Sequence, residues 1–220
     1  MMKKILYKLT SRSRPERCRQ TISSIVGNSS TDKEYLILLS CDEDDDSMKD
    51  FSYDFYTDGR LVIKKGYSKN KIDAINRDVN EFDWDWDILV NISDDMIVEK
   101  GFDSVVRGAF ENTLDLFLHL PDGYANERLA TMSIVGRDYY ERFGYIYHPS
   151  YESVYCDNEA MDVAKELGKY LYINAHVFKH IHPANVGSHL MDAQYMKTEA
   201  HEVHARDCQN YQNRKNNKFP

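Results

Sequence analysis

The sequence contains no long hydrophobic run. No stretch of its 220 residues approaches the roughly 20 consecutive apolar residues that a membrane-spanning helix needs. The start, MMKKILYKLTSRS, has a short apolar stretch but no small-residue cleavage pattern, so we expect a first β-strand there and not a signal peptide. With 42% hydrophobic and 29% charged residues, the composition predicts a folded, soluble globular protein without a membrane anchor.

Cysteine and excess positive charge are also lacking. The four cysteines are Cys18, Cys41, Cys156 and Cys208. They form none of the close pairs typical of zinc sites, and a disulfide framework is not expected in a chain of this length, so we expect reduced thiols and a cytoplasmic location. The net charge of −8 argues against broad affinity for nucleic acid.

Neither of the common glycine-rich phosphate loops is present. The turn after the first predicted strand reads TSRSRPER, at residues 10–17, without the glycines of a dinucleotide fingerprint or the GK[ST] of a P-loop. Its hydroxyl groups and arginines are suited to phosphate or ribose oxygens. A solvated polar turn is the alternative interpretation.

Apolar segments of strand length alternate with amphipathic segments of helix length in the first half. The predicted strands cover residues 3–9, 34–41, 60–67 and 86–93, and the predicted helices cover 15–28, 70–82 and 101–113. This alternation predicts an α/β fold with a mostly parallel central sheet and helices on both faces. Ligands bind at the carboxyl ends of the strands in such sheets, and residues 10–14, 42–46 and 94–95 all follow predicted strands.

The second half is less regular. It predicts strands at 115–120 and 129–136, two further strands within 169–183, a short helix at 137–144, an amphipathic helix at 158–168 and a polar terminal helix at 193–215. No repeat and no linker interrupts the chain. We therefore expect a single domain over residues 1–220.

Two adjacent aspartates, Asp94 and Asp95, follow the apolar strand ILVNIS. Mg²⁺ and Mn²⁺ prefer carboxylate oxygens together with phosphate oxygens and water. Aspartates at a strand tip therefore suit a metal ion held mainly by a nucleotide diphosphate. For these two residues taken alone, a solvated turn is the simpler explanation.

Three histidines lie in the segment HVFKHIHP, at residues 176–183. If this segment is a strand, side-chain alternation places His176, His180 and His182 on one face, and one of them is a candidate to complete a metal site. Packed or solvated histidines are the alternative.

Asp157 and Glu159 lie at the start of a predicted helix, in the segment YCDNEAMD. A carboxylate at this position either binds the free amides of the helix end or acts as a general base on a nearby nucleophile. The residues favour neither explanation over the other.

In their order and spacing, these segments resemble the GT-A glycosyltransferases, especially the compact family 2-like enzymes, over roughly residues 4–185. LTSRSRPERCRQTISSI is similar to the opening strand, nucleotide-binding turn and first helix of that family, LILLSCDEDD to its second strand, and NKIDAINRDV to the helix that closes over the nucleotide. The resemblance implies that Asp42, or next Asp44, contacts the base. The implied nucleotide-sugar-binding residues are Thr10, Ser11, Arg12, Arg14, Asp42, Asp44, Lys71, Asn76, Arg77 and Asp94.

The resemblance also implies metal and catalytic residues. The segment ILVNISDDMIVEKGFD takes the place of the family's DxD segment, so Asp95 is the implied ligand of Mn²⁺ or Mg²⁺. Ser93 stands where the first aspartate usually is, which leaves the role of Asp94 open. FKHIHP matches a late segment that supplies a metal-binding histidine, without a choice between His180 and His182. YCDNE is similar to the acceptor-site motif and implies that Asp157 is the catalytic base, with Glu159 two residues on.

The implied reaction is transfer of a sugar from a nucleotide-diphosphate donor, with a UDP-sugar expected first, to an acceptor hydroxyl with inversion. If Asp157 is only a helix cap, a retaining mechanism becomes the alternative. The resemblance divides the domain into a nucleotide-binding half at 1–110, an acceptor-binding half at 111–190, and a C-terminal helix and tail at 191–220. The oligomeric state stays open.

Small free-standing proteins of this style resemble bacteriophage enzymes, some of which decorate modified DNA bases. A modified DNA base is therefore one candidate acceptor, and the host cytoplasm is the implied location. The basic end YQNRKNNKF suits a nucleic-acid acceptor, but a solvated, frayed terminus is the simpler explanation.

Two other functions compete with this one. The first is a nucleotide-binding module of the same fold without transfer activity, against which Asp95, Asp157 and the late histidines argue. The second is a sugar-phosphate nucleotidyltransferase, which should carry a glycine- and lysine-rich loop after its first strand. The segment TSRSRPER contains no glycine.

Overall fold

The computed structural model describes residues 2–29, 34–52 and 59–219. Within these ranges the strands are β1 (Ile5–Ser11), β2 (Tyr35–Asp42), β3 (Leu61–Gly66), β4 (Ile88–Ser93), β5 (Met96–Val98), β6 (Phe117–His119), β7 (Ile134–Gly136), β8 (Tyr170–Tyr172) and β9 (Phe178–His180). The α-helices are α1 (Pro15–Asn28), α2 (Lys71–Asn76), α3 (Phe102–Ala109), α4 (Arg137–Glu141), α5 (Cys156–Glu166), α6 (Pro183–Val186), α7 (Ala193–Thr198) and α8 (His201–Asn216). No helix of the described residues is long and apolar enough to span a bilayer.

In the described part of the chain, seven strands form one mixed sheet in the order β3-β2-β1-β4-β7-β6-β8. The β1–β2, β2–β3, β1–β4 and β6–β8 pairs are parallel, whereas β7 runs antiparallel to both of its neighbours. Strands β5 and β9 form a separate antiparallel pair. The α/β fold class with a mostly parallel central sheet is therefore confirmed.

Two hydrophobic cores cover the two faces of this sheet. Side chains alternate along a strand, so Ile5, Tyr7 and Leu9 of β1 pack with α1 and α3, whereas Leu6 packs with α2, α4, α5 and α8. The helices on both faces, which the alternation of strands and helices predicted, are confirmed. Burial on both sides also explains why β1, β2 and β4 are almost continuously apolar.

The strand register brings the polar segments of the first half together. Thr10 of β1 lies opposite Ser40 of β2 and Ser93 of β4. Residues 11–14, 42–46 and 94–95 therefore leave the sheet at the same edge, as expected for the carboxyl ends of neighbouring parallel strands.

The helix predicted at 70–82 was too long, because α2 ends at Asn76. The Asn76 side chain accepts hydrogen bonds from the backbone amides of Ile146 and Tyr147 and donates to the Tyr147 carbonyl oxygen at 2.6 Å. Asp78 then adopts a left-handed backbone with φ +73°. Val79 is nevertheless buried, so its place in the apolar pattern reflected burial and not a continuing helix.

The prediction that three histidines share one strand face was wrong. Strand β9 ends at His180, and His182 caps α6, which begins at Pro183. His176 precedes the strand, which begins at Phe178, and Pro183, a residue favoured in the first turn of a helix, starts α6 directly after His182.

The terminus is neither one helix nor frayed. Helices α7 and α8 are separated at residues 199–200, and Tyr211 and Phe219 are buried. Lys215 forms an ion pair with Asp162 of α5 at 2.7 Å. The simpler explanation offered for the basic end, a solvated, frayed terminus, was wrong about fraying, because Tyr211, Lys215 and Phe219 anchor a segment whose other residues are mostly exposed.

Candidate active site

A cavity of about 840 Å³ opens at the carboxyl edge of β1, β2 and β4, within the usual size range of ligand sites. Most of the residues predicted to be functional line it: Thr10, Ser11, Arg12, Arg14, Asp42, Asp44, Lys71, Asp94, Asp95, Asp157, His180 and His182. The fold thus brings together side chains from positions 10 to 182. Asn76, Arg77 and Glu159 are not part of the lining.

Asn76 and Arg77 act beside the cavity. Asn76 braces the loop at residues 146–147, as described above, and the guanidinium of Arg77 donates to the carbonyl oxygen of Cys41 at 2.5 Å. Arg77 also lies 4.0 Å from Asp42. These contacts stabilise the end of β2 and the turn after α2 without reaching the cavity.

Glu159 forms a buried structural pair. Its carboxylate accepts two hydrogen bonds from Arg214, at 2.8 and 2.9 Å, and one from the hydroxyl of Tyr151 at 2.7 Å. Only 4% of Glu159 is exposed. The carboxylate therefore fastens α5 to α8 and does not reach the cavity.

Arg12 organises the acidic end of β2. It donates to Asp42 Oδ2 at 2.8 Å and to Asp44 Oδ1 at 2.6 Å, and its hydrogen bond lowers the pKa of the exposed Asp44 carboxyl. The second oxygen of Asp42, Oδ1, is buried and has no hydrogen-bond partner among the described residues. This oxygen faces the guanidinium of Arg77 at 4.0 Å, so Asp42 lies between Arg12 and Arg77 with one acceptor that makes no hydrogen bond.

Asp94 is tied to the first turn of the chain. It accepts a hydrogen bond from the Ser11 hydroxyl at 2.7 Å and forms an ion pair with Arg14 at 3.2 Å. Burial, together with the neighbouring charge of Asp95, raises the pKa of Asp94 to about 6, against the opposing effect of Arg14. Asp94 thus joins the end of β4 to the turn after β1.

Asp95 is buried and held from three sides. Its carboxylate accepts hydrogen bonds from the hydroxyls of Ser93 and Tyr195, the latter at 2.7 Å, and lies 3.4 Å from Nε2 of His180. Burial alone would raise the pKa of Asp95, but these donors, His180 above all, hold that pKa below its usual range. Asp95 is therefore a carboxylate in the folded protein.

His180 lies between two carboxylates. Its Nε2 faces Asp95, and its Nδ1 lies 3.6 Å from Oδ2 of Asp122. Burial opposes protonation, but Asp122 and Asp95 raise the pKa of His180 to about 9. Asp122 is itself fixed by backbone amides and a hydroxyl, which belong to Tyr124, Ala125, Asn126 and Thr131.

His182 has other partners. Its Nε2 lies 2.6 Å from Glu199, and its Nδ1 accepts from the amide of Ala184. An Nδ1 that accepts leaves the proton on Nε2, where it is donated to Glu199. Of the two late histidines, His180 is therefore the one that shares a contact with Asp95.

A divalent cation fits the pair Asp95 and His180 as a site completed by its ligand. Among the described residues, no group of three or more His, Cys, Asp or Glu side chains is arranged to hold a metal ion. Mg²⁺ and Mn²⁺ are often bound by one or two protein groups, with phosphate oxygens and water at the remaining positions. One carboxylate oxygen and one imidazole nitrogen at the same point of the cavity satisfy this requirement once the ion displaces the proton of His180.

Asp157 lies in the first turn of α5 and is not its capping residue. The residue before the helix is Tyr155, whose side chain makes no capping hydrogen bond, and Asp157 accepts from the adjacent amide of Asn158 at 2.9 Å. Burial raises the pKa of Asp157, although Lys71 and His180 oppose the shift through their positive charges. A carboxylate with a raised pKa at a cavity wall is suited to accept a proton.

In sequence, no protein-family model matches this chain, and no curated protein matches it either. Solved structures do match its fold. The mannosyltransferase PcManGT from Pyrobaculum calidifontis, solved with GDP-Man and Mn²⁺, aligns with a TM-score of 0.63 at 9% identity, over 82% of this chain and 57% of that one. TarS residues 1–349 from S. aureus with UDP-GlcNAc gives 0.63 at 10%, over 80% and 58%. GalNAc-T7 with UDP, GalNAc and Mn²⁺ gives 0.68 at 10%, over 82% and 43%.

The fold is that of the GT-A glycosyltransferases. At such low identity the likeness shows the GT-A fold alone. The chain spans about half of the length of the solved structures that it matches, so the remaining parts of those proteins have no counterpart in the alignment.

Two residues at the centre of this GT-A cavity were missed in the sequence. Asp122 sits in a PDGY segment that is typical of a turn, and Tyr195 lies in the segment predicted as a polar terminal helix. Tyr195 also packs under the guanidinium of Arg14, whose Cζ is 3.7 Å from the ring centre. The hydroxyl of Tyr195 is 100 residues from Asp95 along the chain, and no local pattern signals a contact over that distance.

Proposed function

We propose that the protein is a glycosyltransferase that moves a sugar from a nucleotide-diphosphate donor, first of all a UDP-sugar, to an acceptor hydroxyl with inversion. The observation that carries the proposal is the lining of one cavity in a GT-A fold. Asp42, the pair Asp95 and His180, and Asp157 all contribute to it. A base contact, a diphosphate site and a proton acceptor are the three parts that the reaction needs.

Asp42 supports uridine as the nucleoside. Arg12 binds one of its carboxylate oxygens, and the other is buried, lies 4.0 Å from the guanidinium of Arg77 and accepts no hydrogen bond from the described residues. Uracil presents a single ring N–H, which a single free oxygen satisfies, whereas the guanine edge presents two adjacent donors, N–H and NH₂. A buried oxygen that finds a donor only in the bound nucleotide favours binding of that nucleotide.

Asp95 and His180 support a diphosphate site that uses Mn²⁺ or Mg²⁺. A divalent ion bound there neutralises charge on the diphosphate and makes it a better leaving group. The protein side chains orient the site. Ser93 and Tyr195 hold the Asp95 carboxylate, and Asp122 lies 3.6 Å from the far nitrogen of His180, where a carboxylate commonly orients a metal-binding histidine.

Asp157 is the proposed general base. It takes the proton from the acceptor hydroxyl while that oxygen attacks the anomeric carbon, and the bond from this carbon to the diphosphate oxygen breaks. A single displacement of this kind inverts the configuration at the anomeric carbon. The positive charge of Lys71 lowers the pKa of Asp157. The ammonium group of Lys71 therefore also stabilises the Asp157 carboxylate before it accepts the proton.

The acceptor is proposed at the level of a hydroxyl group, with a hydroxylated, modified DNA base as one case to test. The basic end of the chain does not add to the case for DNA. Arg214 pairs with Glu159 and Lys215 pairs with Asp162, so these two charges serve contacts within the protein. Incubation of oligonucleotides that carry hydroxymethylated bases with several UDP-sugars, followed by mass spectrometry, tests this acceptor.

The donor site is tested by calorimetric titration of UDP with and without Mn²⁺. The wild type is compared with Asp95→Ala and, as a matched control, with Asp138→Ala, which removes an exposed aspartate of α4. We expect metal-dependent binding in the wild type and the control, and its loss in Asp95→Ala. GDP in place of UDP is expected to bind more weakly.

Absence of UDP binding in the wild type under both conditions would overturn the donor assignment. Binding that is equally strong without metal, or unchanged in Asp95→Ala, would overturn the metal site. Consumption of nucleoside triphosphate with a sugar phosphate, measured as release of pyrophosphate, would instead favour a nucleotidyltransferase.

A further inference from the structure

The carboxylate of Asp207, in the middle of α8, is fully buried and binds three consecutive backbone amides. It accepts hydrogen bonds from the N–H groups of Glu152, Ser153 and Val154, at 2.8 to 3.2 Å. These residues lie directly before α5 and line the cavity. A carboxylate that satisfies three successive amides fixes the backbone over that whole segment.

The next residue, Tyr155, is held in a conformation that non-glycine residues rarely adopt. Its φ is +61°, which is uncommon for an aromatic residue and persists only where the surroundings enforce it. Its ring stacks on Tyr211 with centroids 5.8 Å apart and meets His204 edge-on at 5.1 Å. Both of these partners belong to α8.

Helix α5 is fastened to the same helix further along. Arg214 makes the two hydrogen bonds to Glu159, and Lys215 and Tyr211 both donate to Asp162. Residues 152–155, Glu159 and Asp162 are therefore all bound to α8. Asp157 lies in the middle of this stretch, two residues after the strained Tyr155.

We infer that Asp207 is a positioning residue: by binding the amides of residues 152–154, it sets the strained turn that aims Asp157 into the cavity. The inference rests on the proposed function, because Asp157 is the proposed base. It assigns a role to α8, which begins 44 residues beyond Asp157 in the chain. Asp207 itself does not touch the cavity and acts only through this segment.

The experiment uses the full chain and three variants. Asp207→Asn keeps the shape but removes the charge, Asp207→Glu keeps the charge, and Glu202→Gln neutralises an exposed carboxylate on the same helix as a control. Two quantities are measured: hydrogen exchange of the amides of residues 152–155, and the pKa of the Asp157 carboxyl by carbon NMR. Titration of UDP with Mn²⁺ reports separately on the donor side.

In Asp207→Asn we expect exchange of the 152–154 amides to speed up by roughly tenfold or more, as for the loss of charge-assisted hydrogen bonds. The pKa of Asp157 should fall toward the ordinary value of about 3.9, because a loosened turn admits water. Asp207→Glu should retain part of the protection, and Glu202→Gln all of it. Affinity for UDP with Mn²⁺ should be unchanged in all three.

Wild-type exchange rates at residues 152–154 in Asp207→Asn would overturn the inference, as would an unaltered pKa of Asp157. If Asp207→Asn does not fold, hydrogen exchange of the wild type tests the inference instead. Its 152–154 amides must then be protected together with those of α8, and rapid exchange there over a protected α8 would contradict the proposal. Failure of UDP binding in the wild type would instead overturn the proposed function, while the exchange result would stand.

Discussion

The two sides of the cavity are built in different ways. On the donor side, Ser11 and Asp42 end two neighbouring parallel strands and Asp94 follows a third, and the register of β1 with β2 and β4 places them together. On the acceptor side, the turn before Asp157 is held by Asp207, more than 50 residues away in the chain. The donor side is thus a direct product of strand pairing, whereas the acceptor side depends on where one C-terminal helix packs.

This difference has an energetic counterpart. Strand pairing gives the donor side many backbone hydrogen bonds, so a single side-chain change there should alter binding more than folding. The acceptor side is held by side chains, including the buried Glu159–Arg214 pair, so a single change there can alter the local structure. The predictions below test this contrast.

The largest effect should come from Asp157→Asn. Loss of a general base typically lowers the rate about 10²- to 10⁴-fold, whereas affinity for UDP with Mn²⁺ should not change because Asp157 is outside the donor side. Rates of sugar transfer or of UDP-sugar hydrolysis measure the first effect, and calorimetry measures the second.

Glu166→Gln is the matched control for this prediction, since it neutralises an exposed carboxylate of the same helix. It should keep the wild-type rate. An Asp157→Asn protein with full activity would remove the base from the mechanism and revive a retaining reaction.

Next in size is the effect of His180→Gln on metal affinity. His180 lies 3.4 Å from Asp95, whereas His182 is paired with Glu199. We expect the Kd for Mn²⁺, measured by titration in the presence of UDP, to rise about 10- to 100-fold in His180→Gln and to change little in His182→Gln. The opposite order would transfer the metal site to His182.

Arg214→Met should destabilise the protein without weakening UDP binding. It leaves the buried carboxylate of Glu159 with Tyr151 as its remaining side-chain donor, and removal of one partner from such a pair costs roughly 1–3 kcal/mol in the free energy of unfolding for a partly exposed arginine. Urea unfolding measures this cost. Equal losses of stability and of UDP affinity would show that the two sides are not independent.

The smallest effect is a pH dependence that belongs to the donor side. Lys8 of β1 is fully buried and contacts Ser40 and the carbonyl oxygen of Ala74. Burial lowers the pKa of Lys8 to about 7, although Asp78 opposes the shift. The unfolded chain then binds more protons than the folded protein between pH 7 and about 10.4, the ordinary lysine value, so this residue makes stability rise with pH in that window.

The measurement compares urea unfolding of the wild type and Lys8→Met at pH 7, 8 and 9. The free energy of unfolding of the wild type should rise relative to that of the variant by up to about 1.4 kcal/mol per pH unit. The difference between the two proteins removes the opposite contribution of His180, whose raised pKa causes stability to fall over part of the same range. Lys64→Met, at an exposed position of β3, should show no such slope.

The spacing of apolar residues along the sequence predicted much of the fold. The continuous apolar runs of β1, β2 and β4 and the spacing of Cys18, Ile22 and Ile25 predicted the parallel sheet and α1, which begins at Pro15 as expected. The pattern failed at α2, where buried Val79 follows the end of the helix. Hydrophobic periodicity reports which residues are buried, and it cannot tell a helix from an irregular turn that buries the same side chains.

The sequence by itself determined the donor edge of the cavity. Once β1, β2 and β4 pair in parallel, the polar residues that follow each strand must emerge at the same edge. Only the tertiary structure decided that His180 contacts Asp95 and that Asp122 and Tyr195 lie beside them. It also decided that Glu159 is a structural residue. The same holds for the contact of Asp207 with the turn before Asp157. The physical reason is distance along the chain. A local pattern encodes strand, helix and burial, but contacts between segments 50 to 100 residues apart depend on how the whole chain packs.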